Sequence, residues 1–124
     1  MKIRNGYVSN SSSSSFIIAY SDGAISETQG FKLSVEKFLR YIHGISTSWY
    51  SDCTEIKSEG KENICNIIKD EWFDEDQKYI EMIRNNPNEM VVYLQISYRD
   101  ELIKDLFDFL VENKSIEIIY RDDI

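Results

Sequence analysis

Met90-Val91-Val92-Tyr93-Leu94-Gln95-Ile96-Ser97-Tyr98 has the two-residue period of an extended chain. Val92, Leu94 and Ile96 fall on one side, and Val91, Tyr93 and Gln95 on the other. Asp100, a residue that can cap, follows it, and then Leu102, Ile103, Leu106 and Leu110 at the spacing of a helical stripe. Asn113-Lys114 turns the chain, and Ile116-Glu117-Ile118-Ile119-Tyr120 is a second β-rich run. Strand, helix and strand with short joints read as a βαβ unit with two parallel strands. The unit sets the fold class: α/β, a single small domain over residues 1–124, with a three- or four-stranded mixed sheet and covering helices.

Working outward, Phe16-Ile17-Ile18-Ala19-Tyr20 is apolar at every position, which suits a central strand covered on both faces. Ser21-Asp22-Gly23 ends it, and residues 22–32 read as a polar loop. Ser34 can cap a helix over about 35–43, with Val35, Phe38, Leu39 and Ile42 on one face, His43 serving the last carbonyls and Gly44 stopping it. Residues 45–60 read as a surface loop around Trp49-Tyr50. Helices are expected at about 62–72, with Ile64, Ile67 and Ile68 inward, and at 75–84, with Tyr79, Ile80 and Ile83 inward. Asp74 and Gln77 form a capping box for the latter, and Asn85-Asn86-Pro87-Asn88 ends it.

The apolar fraction of 42% and aromatic fraction of 13% belong to a chain that folds. No stretch approaches the roughly 20 apolar residues that span a bilayer. No apolar leader precedes the serines, so the cytoplasm is the expected compartment, with Cys53 and Cys65 as reduced thiols. A single histidine and no Cys-x-x-Cys argue against a zinc site, and no cofactor is expected. Net charge is −8 and unevenly spread: residues 1–50 carry +2 and residues 51–124 carry −10. Such acidity repels nucleic acid and anionic lipid, leaving as the expected partner a protein with a basic surface.

Arg4-Asn5-Gly6-Tyr7-Val8-Ser9-Asn10 runs into five serines, Ser11 to Ser15, and then Phe16-Ile17-Ile18. This segment resembles the opening of a loose group of short bacterial and phage proteins: a basic residue, Gly-aromatic-Val-Ser-Asn, a serine run and Phe. The resemblance covers residues 4–18 and implies an accessory, mobile-element origin. It carries no functional residue to this chain. Read on its own residues, 1–15 is a serine-rich lead-in containing an Asn5-Gly6 turn dipeptide. Ser11, Ser12, Ser13, Ser14 and Ser15 are a candidate docking or modification segment, to be weighed against a merely solvated approach to the strand. Phosphate cradling is disfavoured, because the run lacks glycine and precedes a strand instead of a helix.

No nucleophile–base pair can be assembled around one histidine, so no catalytic residue is assigned. The segment Asp70-Glu71-Trp72-Phe73-Asp74-Glu75-Asp76 lacks the rhythm of a calcium loop. It offers an aromatic pair rimmed by carboxylates, Trp72 and Phe73 with Asp74, Glu75 and Asp76: a partner anchor or a core junction. Glu101, Asp105, Asp108 and Glu112 lie at i, i+4, i+7 and i+11, a row of carboxylates broken only by Lys104. Such a row can mimic nucleic acid to a basic groove, or be the wet side of an amphipathic helix. The expected function is therefore a non-enzymatic acidic protein-binding module. The alternatives are a small enzyme or ligand-binding domain with a pocket near Tyr98 to Asp100 and Tyr120 to Asp122, and a modification substrate.

Overall fold

The computed structural model describes residues 13–46, 54–72, 76–97 and 100–123. Its elements in chain order are β1 (Ser13–Tyr20), β2 (Ile25–Thr28), β3 (Phe31–Ser34), α1 (Val35–Ser46), β4 (Glu55–Glu59), α2 (Lys61–Glu71), α3 (Asp76–Arg84), β5 (Met90–Ser97), α4 (Glu101–Glu112) and β6 (Glu117–Asp123). The chain is mixed α/β, with a four-stranded sheet in the order β4-β5-β1-β6 and a separate β2-β3 hairpin.

The apolar run 16–20 is central, as its two-sided burial requires. Phe16, Ile18 and Tyr20 enter one core with α1, α4, Val92, Leu94 and Ile96. Ile17 and Ala19 enter a second core with α2, α3, Val91, Tyr93 and Ile119. The sheet is thus dry on both sides, which is why five successive apolar residues occupy one strand.

The expected parallel pairing does not form. β1 pairs antiparallel with both β5 and β6, and β4 pairs antiparallel with β5. β5 and β6 still run in one direction, but β1 lies between them, so the β-α-β unit is split. Strand order and direction follow the split β-α-β-β-α-β plan, with the β2-β3 hairpin and the α2-α3 pair added to it. The mixed sheet expected from the sequence is therefore antiparallel throughout its four main strands.

Two segments expected as loops contain strands. Residues 25–34 form the hairpin, closed by a two-residue turn in which Gly30 sits at φ 84°, a backbone region that suits glycine. Residues 55–59 form edge strand β4, whose register shifts between Ile56 and Ser58 so that Lys57 is the bulged residue. Gly44 does not stop α1, which runs to Ser46 with the Ser34 hydroxyl accepting from Lys37 N–H at 3.1 Å as an N-cap. His43 accordingly lies inside the last turn, and its Nε2 bonds Glu59 Oε2 at 2.9 Å, tying α1 to the end of β4.

A second register shift, between Ile17 and Ile18, makes Ile119 the extra residue of β6. Consecutive Ile119 and Tyr120 consequently both pack toward the second core, while Ile116 and Ile118 pack toward the first.

Candidate functional site

α4 carries the densest set of sequence-predicted site residues. It is anchored by Ile103, Phe107 and Leu110, all buried against the first face of the sheet. Of the expected apolar stripe, Ile103 and Leu110 are inward, Leu106 is half-buried and Leu102 is 60% exposed; Phe107 takes the inward place instead. Phe107 stacks 4.4 Å from Phe16 and 6.1 Å from Phe38, so an aromatic seam locks the helix to β1 and α1. With that face fixed, Glu101, Asp105, Asp108 and Glu112 are all exposed. Asp108 is offset by Lys104, whose Nζ lies 3.9 Å from its carboxylate.

The helix ends are built from backbone geometry and one buried hydroxyl. Asp100 occupies the N-cap position, and its carbonyl accepts from Lys104 N–H at 2.9 Å, but its side chain makes no cap bond. The Asp100 carboxylate accepts from the Thr54 hydroxyl instead. At the other end Ser115 N–H reaches Leu110 O and Lys114 N–H reaches Val111 O, both at 3.0 Å, with Lys114 at φ 61°. That is a Schellman closure with lysine where glycine is usual. The last turn contains no basic residue, so Glu112 faces the negative end of the helix dipole.

Where α4 meets the sheet, a cleft of about 350 Å³ opens beside the row of carboxylates. Ser14 and Phe16 of β1, Ile96 of β5 and Phe107 of α4 form its interior. Lys104, Asp108 and Arg121 supply its charges. The cleft lies at the C-terminal ends of β5 and β6, beside the region expected for a pocket. Asp100, Tyr120 and Asp122 are not among its lining, and Tyr98 is outside the described residues. Arg121 lies within the stretch from Tyr120 to Asp122 expected near a pocket, though its place in the sequence assigns it no role of its own. The alternation of β6 could have placed it opposite Phe16, with which it is in register.

The other candidates separate. Trp72 is only 9% exposed and packs on Tyr120 at 4.5 Å, Tyr79 at 5.8 Å and Tyr93 at 6.3 Å. It is a core group of the second face. Asp70 and Glu71 are exposed at the end of α2. Phe73, Asp74 and Glu75, the Asp76 side chain, and the capping role of Asp74 lie outside the described residues. Gln77 donates to Glu81 at 3.4 Å.

The serine run does not stop short of the strand. Ser13, Ser14 and Ser15 belong to β1, and Ser14 and Ser15 are each 5% exposed. A solvated lead-in over 1–15 is thereby shortened, and the hydroxyls of Ser14 and Ser15 are poorly presented for modification. Ser11, Ser12 and the Asn5-Gly6 turn lie outside the described residues, as does Cys53. Cys65 is a fully buried core filler of α2, and burial raises its thiol pKa above the ordinary value. Burial, with Glu59, Glu36 and Asp22 nearby, likewise raises the phenol of Tyr20.

Among the described residues no group of three or more His, Cys, Asp or Glu is placed to hold a metal ion, and no helix is long and apolar enough to cross a membrane. No family model, curated protein or solved structure matches the chain.

Proposed function

We propose that the chain is a non-enzymatic, acidic protein-binding module of phage or mobile-element type. It acts in the cytoplasm by occupying a basic surface of a host or defence protein, as a nucleic-acid mimic does. The observation that carries this reading is the exposure of Glu101, Asp105, Asp108 and Glu112 along a helix whose opposite face is clamped in the core. Successive carboxylates at this spacing are about 5–6 Å apart and repel one another by a few tenths of a kcal/mol per pair, so the row is tolerated at a small cost to the free molecule. A rigid support matters, because charges held in place need no ordering when a partner arrives. Lys104 offsets Asp108, so the unbalanced charge belongs chiefly to Glu101, Asp105 and Glu112.

The test uses the partner recovered by affinity capture from the native host. Replacing Glu101 by Gln and Asp105 by Asn removes two charges and preserves size. Association with the purified partner should slow by about tenfold in the double variant, and steeply with salt as screening shortens to about 8 Å near physiological ionic strength. An association rate indifferent to both salt and the double substitution refutes the reading.

A further inference from the structure

The cleft between α4 and β6 differs in charge from the molecule around it. The chain carries −8 overall, yet the cleft's charged lining is Arg121 and Lys104 against the single carboxylate of Asp108. Three other clefts built from described residues have linings whose charges cancel or are net negative. Lys114 opposes Glu117 in one, Lys57 faces Glu55 and Glu71 in another, and Glu59 and Glu89 line the third.

The interior of the positive cleft is aromatic. The Phe16 and Phe107 rings lie 4.4 Å apart at an interplanar angle of 41°, with Ile96 beside them. The Arg121 guanidinium carbon sits 5.6 Å from the centroid of the Phe16 ring, so a cation and an apolar surface are presented together. Ser14 adds a hydroxyl that can donate or accept. About 350 Å³ is at the small end of the range for ligand pockets, enough for one fused ring system with a head group.

We infer that this cleft is a binding site for a small planar aromatic carboxylate. The ring lies against Phe16 and Phe107, and the carboxylate is received by Arg121 with Lys104 as the second cation. A guanidinium has five N–H donors in a planar fork, so it can hold a carboxylate and a protein acceptor at once. A cationic ligand meets Arg121 and Lys104 directly. A polyanion meets Asp108, the one carboxylate of the lining. A single negative head on a flat apolar body is the class that satisfies both the charges and the rings.

The experiment is an NMR titration of the ¹⁵N-labelled full chain with indole-3-acetate, and in parallel with neutral indole-3-acetamide. Expected are saturable shifts centred on residues 14–16, 96, 104–108 and 121, with Kd on the order of 1 mM for a ligand of this size. The amide should bind about tenfold more weakly, and so should the acid to Arg121→Gln and Lys104→Gln, because each loses a charge-assisted contact. Lys104 is 53% exposed, so its variant keeps the fold whether or not Arg121→Gln does. Glu62→Gln, exposed on α2 and not lining the cleft, should leave the affinity unchanged. Absence of saturation, shifts centred elsewhere, equal affinity for the amide, or undiminished binding by Lys104→Gln each overturns the assignment.

Discussion

The Thr54 hydroxyl donates to the Asp100 carboxylate, joining the residue before β4 to the residue before α4 across 46 positions of sequence. The same oxygen accepts from Ser97 N–H at 2.9 Å, and Ser97 O accepts from Asp100 N–H at 3.0 Å. Thr54 and Ser97 are fully buried. One hydroxyl thus fixes the end of β5 and the start of the helix that presents the carboxylate row.

Thr54→Val keeps the shape and removes the hydroxyl. It leaves Ser97 N–H buried without its acceptor, so unfolding free energy should fall by about 1–3 kcal/mol. Urea denaturation measures this. A change below about 0.5 kcal/mol would show that the bond contributes nothing net.

Ser15→Glu, a mimic of phosphorylation, should be severely destabilising. Ser15 is buried in the central strand and in register with Gln95 on one side and Asp122 on the other. A new carboxylate there is desolvated and lies beside a like charge, a combination costing several kcal/mol. A thermal melt of the variant close to that of the parent would make modification at this serine compatible with the fold.

Lys114→Gly should stabilise. Lys114 is the one described residue other than glycine with positive φ. The left-handed conformation costs a side-chain-bearing residue about 1–2 kcal/mol, of which the added freedom of glycine in the unfolded chain takes back part. A gain of about 0.5–1 kcal/mol in chemical denaturation is expected, and a loss would mean that the Lys114 side chain holds the turn by a contact of its own.

Alkaline pH should weaken the fold in two steps. Cys65 ionises near 9.0 when unfolded, and burial holds its folded pKa higher; Tyr20 behaves alike from 10.0. In both cases the folded state binds more protons than the unfolded state. Stability is therefore full below about pH 9 and declines as pH rises through the folded values. Urea midpoints across this range check the decline, and Cys65→Ala should flatten its first part. An unchanged slope in that variant would remove the thiol from the account.

What was legible in the sequence depended on whether burial and polarity agreed. Phe16 to Tyr20 declared a two-sided strand because both its faces are dry. β2 did not declare itself because its polarity is inverted: Ser26 is the buried residue, its hydroxyl satisfied by that of Ser115, while Ile25 is exposed. β4 has one apolar residue, Ile56, and a bulge that interrupts the alternation. On α4, seven of twelve residues are apolar, so more than one stripe fits a 3.6-residue period; packing with Phe16 selects the one through Phe107. Pairing partners were beyond reach for a different reason. A β-α-β segment specifies that two strands run alike, and only a third strand's hydrophobicity decides whether it slips between them. The carboxylate row was readable by spacing alone, whereas the cleft needed Arg121, Ser14 and Ile96 from three strands to meet.

Helices α2 and α3 close the side of the sheet that a bare split β-α-β-β-α-β domain leaves open. In single-stranded RNA readers of that plan, the open face is a platform on which aromatic rings stack bases. Here the aromatic residues of that side pack edge-on or tilted, Trp72 against Tyr93 and Tyr120, and Tyr79 of α3 against Trp72 and Tyr120. This side of the sheet is a core packed against α2 and α3 and offers no flat reading surface among the described residues. Both faces of the sheet's described strands are covered, so a ligand cannot be laid across them.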